Sequence, residues 1–385
     1  MRAFEDVASD PFAAVDRLRA ARDADALVSL LAEQSPIYAG RGSNEAERVR
    51  GTILASFETT GLPEPALPFV VEELEIGLNC YPVAAAAKAL RGARALPDQI
   101  AALLLGAIDR VRTSDDVVCF DCRADPGTAE PLTTALMELF RTLTWLGPRA
   151  REAEVPLRVM LEQQPPGFSA QVRTEIETAL AAVCCDSMPA HAHCCAGQPA
   201  PIVFAQTAKK RPIDFDIKAM QLQDQDGAVF SFGDFFLGRP GVLTFFYTRC
   251  MNPNKCSLTI TKLAQLQRRI AAEGLQDRFS VAAVTYDPRF DSSSRLRAYG
   301  ADRGMCFNDR TRLLRTMDSF EPLQRWFDLG VGYGSTTVNQ HRLDIVVLDD
   351  SGNPSTEISR AQWDEDDVFK ALKAADRIER ETRHR

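Results

Sequence analysis

Along the first 183 positions apolar residues recur at i, i+3, i+4 and i+7, the spacing of one helix face. Segments 45–60, 66–77, 81–93, 98–112, 128–146, 148–163 and 169–183 carry this pattern. Gly61-Leu62-Pro63, Leu96-Pro97-Asp98 and Gly147-Pro148 punctuate it, and helices joined by such short breaks pack as antiparallel neighbours. From residue 211 the period changes. Asp226-Gly227 is a hairpin signal between apolar alternations. Segments 241–248 and 279–287 read as buried strands, and 257–274 as an amphipathic helix with Ser257 placed as its N-cap. Segments 292–304 and about 310–328 read as helical, 341–353 as a third strand entering a turn, and 361–379 as a closing helix.

Within the helical half, the pair 81–112 says most. Its first helix is alanine-rich and ends AKALRGA; after a Pro-Asp turn comes IAALLLGAID. Small residues let one helix press against its partner, and the pair resembles a HEAT-type repeat. That resemblance implies an all-α HEAT-like solenoid over residues 1–183, with a concave surface for a protein or peptide partner. The alternative is an irregular helical bundle. Residues 184–210, CCDSMPAHAHCCAGQPAPIVFAQTAKK, show no helical period and read as a Cys/His-rich linker. Residues 211–385, with β-α-β order and cysteines at the first strand-to-helix junction, read as an α/β thioredoxin-like domain. The expected protein is therefore multidomain.

Composition narrows the function. The chain of 385 residues is 45% hydrophobic and 25% charged with a net charge of −8. A nucleic-acid binder usually carries a basic surplus, so nucleic acid is not expected as a partner. No apolar run reaches 18 residues, so no membrane span is expected. The N-terminus MRAFEDVASD carries acids early and lacks an apolar signal core, which gives a cytoplasmic expectation. Against that background the 10 cysteines are many and unevenly placed, and the 4 histidines are scarce. In a reducing compartment clustered cysteines point to metal or redox chemistry.

Cys250 ends the first buried strand and Cys256 opens the next helix. A thiol there meets unpaired backbone N–H groups and the positive end of the helix dipole, and Arg249 and Lys255 flank the two cysteines. Reactive thiolates in that position attack disulfides or peroxides, or bind a soft metal.

The run FFYTRCMNPNKCSLT, the strand and turn VTYDPRFDS, and VNQHRLDIVVLDDSG with His341 together resemble the SCO/SenC copper-binding family. The resemblance covers about 170 residues in the family's order. It implies copper held by Cys250, Cys256 and His341, with Asp287 nearby, and it permits copper delivery, electron transfer or copper-dependent oxidation by O₂. The family's cysteines are spaced CxxxC; here they are CxxxxxC, two residues longer. A metal-free thiol–disulfide oxidoreductase using Cys250 and Cys256 is the competing reading, and His341 discriminates: a copper site needs it and a dithiol mechanism does not.

The linker offers six further donors in twelve residues: Cys184, Cys185, His191, His193, Cys194 and Cys195. Such density of scarce residues suggests a second metal, copper or zinc, although the spacing fits no zinc-finger pattern. Disulfides between the pairs or a flexible linker are the alternatives. Cys119-Phe-Asp-Cys122 reads as helix-packing cysteines, and GVGYGS (330–335) as a loop near the site.

Overall fold

The computed structural model describes residues 10–120, 132–163, 166–185, 205–207, 216–360 and 362–383. The chain divides into two compact units, the first comprising Met1–Ile202 with Tyr333–Ser335 and the second Val203–Gly332 with Thr336–Arg385. Among the described residues no helix is long and apolar enough to cross a membrane.

The first unit is mainly helical: α1 (Pro11–Ala21), α2 (Ala24–Leu30), α3 (Ser43–Thr60), α4 (Leu67–Ile76), α5 (Cys80–Leu90), α6 (Ile100–Val111), α7 (Ala135–Leu146), α8 (Glu154–Gln163) and α9 (Ala170–Val183). Helices α3, α5, α7 and α9 pack in one file. Helix α4 packs on α6, and α4 and α6 pack on α5 and α7. Alanine makes this close packing possible: Ala84, Ala85, Ala86, Ala87 and Ala89 of α5 are fully buried. Gly92 follows the same logic, because a Cβ there would stand 1.9 Å from the Phe57 carbonyl oxygen.

Two expectations for this unit need correction. Residues 1–183 are not helical throughout, since β1 (Val117–Val118) pairs antiparallel with β2 (Thr133–Thr134). Segment 148–163 is not one helix, because a 3₁₀ stretch with a non-helical Ala150 precedes α8.

The core contains a buried ionic cluster around Arg50. The Arg50 guanidinium, 2% exposed, reaches Glu33 at 3.1 Å, Glu72 at 3.2 Å and Glu73 at 2.9 Å. It ties α3 to α4 and to the chain that follows α2.

The second unit is built on an eight-stranded sheet in the order β3-β12-β11-β6-β7-β8-β4-β5. Its strands are β3 (Ala205–Thr207), β4 (Gln221–Asp224), β5 (Val229–Ser231), β6 (Gly241–Phe246), β7 (Ser280–Thr285), β8 (Thr311–Thr316), β11 (Asp344–Leu348) and β12 (Pro354–Ser359). A separate two-stranded sheet is formed by β9 (Val331–Tyr333) and β10 (Val338–His341). Among the described residues five α-helices complete the unit: α10 (Phe232–Phe236), α11 (Leu258–Ala272), α12 (Ser293–Ala301), α13 (Glu321–Phe327) and α14 (Glu365–Arg383).

Strands β6, β7 and β8 are parallel, while β11 and β4 flank them antiparallel. Every residue of β6 and β7 is buried, as expected of parallel strands covered on both faces. The β6–α11–β7 crossover carries the cysteines, and this β-α-β core with antiparallel additions is the thioredoxin-like arrangement. The Asp226-Gly227 hairpin forms as expected: the Asp224 carboxylate takes the N–H groups of Asp226 and Ala228, and Gly227 adopts φ 85°.

Segment 310–328 was expected to be helical, but only α13 is. Residues 311–316 form β8 between β7 and β4. Leu313 and Leu314, adjacent in sequence, are both fully buried. A central strand hides both its faces, so its apolar run loses the alternation that would mark it. GVGYGS is likewise not only a loop, because it contains β9.

Candidate metal centre

Three segments converge beyond the C-terminal end of β6. Cys250 lies in the turn after that strand. Cys256 lies in one wide π-type turn, Pro253–Ser257, that leads into α11. His341 is the last residue of β10, not the residue just before a core strand, and the Arg342–Leu343 step separates it from β11.

The Cys250 sulfur lies 3.3 Å from His341 Nε2, and the Cys256 sulfur 3.7 Å from the same nitrogen. All three donor atoms fall within 4.8 Å of one another, the one such cluster of cysteine, histidine or carboxylate ligands among the described residues. Cys256 is fully buried, His341 is 6% exposed, and Cys250 is half-buried.

The wide turn absorbs the longer cysteine spacing. Lys255 leaves the helical path at φ −103°, ψ −108°, and Met251 projects into solvent at 92% exposure. Single π-type turns of this kind often mark functional sites. The expected Ser257 cap is not made. Ser257 is already helical and its hydroxyl accepts from Arg303 Nε at 3.0 Å. Asn252 caps the turn instead, accepting the Asn254 N–H at 2.9 Å.

The imidazole is oriented from behind. His341 Nδ1 lies 3.4 Å from the Arg342 carbonyl, which can only accept, so Nδ1 carries a proton and Nε2 is the nitrogen offered to the sulfurs. The same carbonyl accepts from Tyr286 OH at 3.2 Å. The Tyr247 ring meets the imidazole edge-on, with centroids 5.3 Å apart, and Tyr286 lies on another side at 5.8 Å.

The two sulfurs have opposite character. A hydrogen bond from Cys256 is the largest influence on Cys250. Burial opposes ionisation, the charge and hydrogen bond of His341 favour it, and the pKa is drawn down to about 3. Cys256 moves well upward, through burial first and then its bond to and repulsion by the Cys250 thiolate. The pair therefore holds one thiolate and one thiol near neutral pH, an arrangement suited to attacking a disulfide or to gaining a soft cation as the second proton leaves.

Asp287 does not join the three donors. Its carboxylate pairs with the Arg249 guanidinium, which also donates to the Thr336 carbonyl at 3.1 Å and stacks on Phe290 at 4.0 Å. The second acid of that turn, Asp291, is fully buried and accepts from the Thr248 N–H at 3.2 Å and from the hydroxyls of Thr248 and Thr285. It fixes the chain two residues before Cys250. The Asp-Pro-x-x-Asp pattern carries the signal for this anchor, although sequence alone does not separate the roles of its two acids.

Of the linker donors, Cys184 directly follows α9 with its sulfur 3.8 Å from Arg158 Nη2, and Cys185 is exposed. Both are free thiols. His191, His193, Cys194 and Cys195 lie outside the described residues. Cys119 is disulfide-bonded, which corrects its reading as a helix-packing cysteine.

Residues 217–375 match the SCO1/SenC family, so the second unit contains an SCO1/SenC domain. No curated protein matches the chain. Among solved structures, an SCO1/SenC family lipoprotein from Bacillus anthracis str. Ames is 22% identical, with a TM-score of 0.37, over 44% of this chain and 99% of its own. Copper-bound ScoI of Bradyrhizobium japonicum is 18% identical, with a TM-score of 0.34, over 40% of this chain and 96% of its own. Copper-bound ScoI of Arabidopsis thaliana is 17% identical, with a TM-score of 0.34, over 41% of this chain and 96% of its own.

Proposed function

We propose that this SCO1/SenC domain binds copper through Cys250, Cys256 and His341, and that the protein is a copper-handling redox protein that delivers the metal to, or exchanges electrons with, a protein or peptide partner. The carrying observation is the donor cluster itself: two sulfurs and one imidazole nitrogen within 4.8 Å, drawn together although Cys256 and His341 are 85 residues apart. The donor set suits copper in both oxidation states, since thiolates favour Cu(I) and imidazole tolerates Cu(II). Bound copper supplies a one-electron couple at this point.

The chain's own residues prepare the site. The Arg342 carbonyl selects the imidazole nitrogen that faces the sulfurs. Tyr247 and Tyr286 shield that imidazole, and Asp291 fixes the approach to Cys250. A partner held by the helical unit is the finer part of this proposal, and the successive packing of α3, α5, α7 and α9 is what supports it.

The test is anaerobic Cu(I) binding to the reduced full-length protein in competition with a chromophoric chelator. Wild type should take one copper at this site, and Cys250→Ser and His341→Ala should each weaken binding by at least tenfold. Full affinity in His341→Ala would sink the proposal.

A second reading is supported by the thiolate and thiol pairing. A metal-free thiol–disulfide oxidoreductase would use the Cys250 thiolate to attack a partner disulfide, releasing one partner thiolate. Cys256 would then resolve the mixed disulfide, leaving the Cys250–Cys256 pair oxidised and the partner reduced. Reductase activity that survives His341→Ala, in a protein that takes up no copper, would favour this reading.

A further inference from the structure

The helical unit has a cavity of about 560 Å³ where the loop after α3 meets the loop after α5. Glycines bring the two loops together. Gly61 takes φ 91°, and a Cβ on Gly92 would strike the Phe57 carbonyl. The Leu62 N–H then donates to the Gly92 carbonyl at 2.9 Å, and Leu62 pairs with Ala93 as an isolated parallel bridge.

Leu62, Leu67 and Leu96 give the cavity an apolar wall and are only partly buried against the core. Two opposite charges, Glu64 and Arg94, stand on the same cavity. Both are exposed, and among the described residues neither makes an ion pair. The main chain here also keeps bonding capacity in hand. Past the bridge, the N–H groups of Ala95 and Leu96 have no acceptor among the described residues. An apolar recess of this size with a few polar groups at its rim has the character of a ligand site, and unbonded main-chain donors beside it suit an extended chain.

On the reading that the helical unit holds a protein or peptide partner, we infer that this cavity is the partner's seat, and that it takes an extended peptide segment with an apolar side chain between an acidic and a basic residue. In an extended chain residues i, i+2 and i+4 share one face. An apolar side chain at i+2 enters the leucine wall, while the charges at i and i+4 meet Arg94 and Glu64. Main-chain carbonyls of the peptide supply acceptors for the unbonded N–H groups. A small apolar solute would leave both charges and both N–H groups unused. A polyanion would gain Arg94 and be repelled by Glu64.

The test uses three end-blocked, fluorescently labelled pentapeptides: Glu-Ser-Leu-Ser-Lys, its reverse Lys-Ser-Leu-Ser-Glu, and the neutral Gln-Ser-Leu-Ser-Gln. Each is titrated with the full-length protein at low salt and read by anisotropy. One charged order should bind wild type at least about fivefold more tightly than the neutral peptide. Glu64→Gln and Arg94→Gln should each weaken that binding about threefold to fivefold, the effect of one partly exposed ion pair. Exchanging both charges, Glu64→Lys with Arg94→Glu, should make the other order the tighter ligand, an inversion that a merely structural role for these exposed residues would not produce.

A charged peptide that binds equally well to all the variants would overturn this cavity as the seat and leave a partner surface elsewhere on the helical unit. Equal binding of the three peptides, or binding of none, would overturn the inference outright. Cu(I) uptake by the same preparations, followed by chelator competition, reads the copper site separately, so peptide binding lost with copper uptake kept counts against the cavity alone.

Discussion

Removing the Cys256 sulfur probes the electrostatics of the dithiol directly. In the reduced, metal-free protein the strongest support for the Cys250 thiolate is the hydrogen bond it accepts from Cys256, with His341 assisting and burial opposing, and its pKa lies at about 3. A hydrogen bond to a charged acceptor contributes about 1.5–3 kcal/mol, and one pH unit corresponds to about 1.36 kcal/mol. Cys256→Ala should therefore raise the Cys250 titration midpoint by about one to two pH units, still below an ordinary thiol because His341 remains. The assay is the pH dependence of iodoacetamide labelling, read by mass spectrometry on the peptide that contains Cys250.

The sign carries over to stability. Unfolded, the thiol titrates near about 8.5; folded, it titrates far lower. Its contribution is therefore fully present above the unfolded value and is lost as pH falls toward the folded one. Between those limits stability rises with pH by at most about 1.4 kcal/mol per unit for one proton. In Cys256→Ala the low end of that window should move up with the labelling midpoint. An unchanged midpoint would refute the reasoning and assign the thiolate to His341 alone.

Three further outcomes follow from the same geometry. Asp291→Ala removes a fully buried acceptor of three hydrogen bonds; it should destabilise the second unit by about 2–4 kcal/mol in urea unfolding and weaken metal binding, because Thr248 no longer anchors the approach to Cys250. Tyr286→Phe removes one donor to the Arg342 carbonyl; it should cost up to about tenfold in metal affinity, and ¹⁵N spectra of the metal-free protein should show whether His341 Nδ1 keeps its proton. Arg50→Met leaves Glu33 and Glu72, each 1% exposed, without their buried cation; it should destabilise the helical unit by about 3–5 kcal/mol, measured by chemical denaturation followed by circular dichroism.

Much of this was legible in the sequence, and the reasons differ by element. The helices α3 to α7 announce themselves by periodicity and by Gly/Pro punctuation, and the Asp226-Gly227 turn by its chemistry. The triad of Cys250, Cys256 and His341 was legible because cysteine at a strand-to-helix junction and a scarce histidine before a late strand are each unusual. Strand β8 was not legible, because Leu313-Leu314 breaks the alternation that identifies a half-buried strand. Ser257 satisfied the local rule for a cap, yet tertiary structure placed Arg303 on its hydroxyl and extended the turn backward to Asn252. Of the two acids in that turn, Asp287 was the one expected near the metal. Only the fold separates them, giving one to the partly exposed Arg249 guanidinium and the other to Thr248 and the buried Thr285.

The cysteine loop shows why spacing along a chain is a weaker constraint than the position of donor atoms. Two extra residues could have moved Cys256 to another face of α11, since each helical residue turns the side-chain direction by about 100°. Instead the turn before α11 widens, Lys255 takes up non-helical dihedral angles, and Met251 carries the excess outward. The buried sulfur is left 3.7 Å from His341 Nε2. The extension also places Lys255 Nζ on the His341 carbonyl, so the loop gains a charged contact while the donor set is preserved. A change in loop length can thus leave a set of donor atoms in place, because the conformation of the turn and not the residue count decides where those atoms end up.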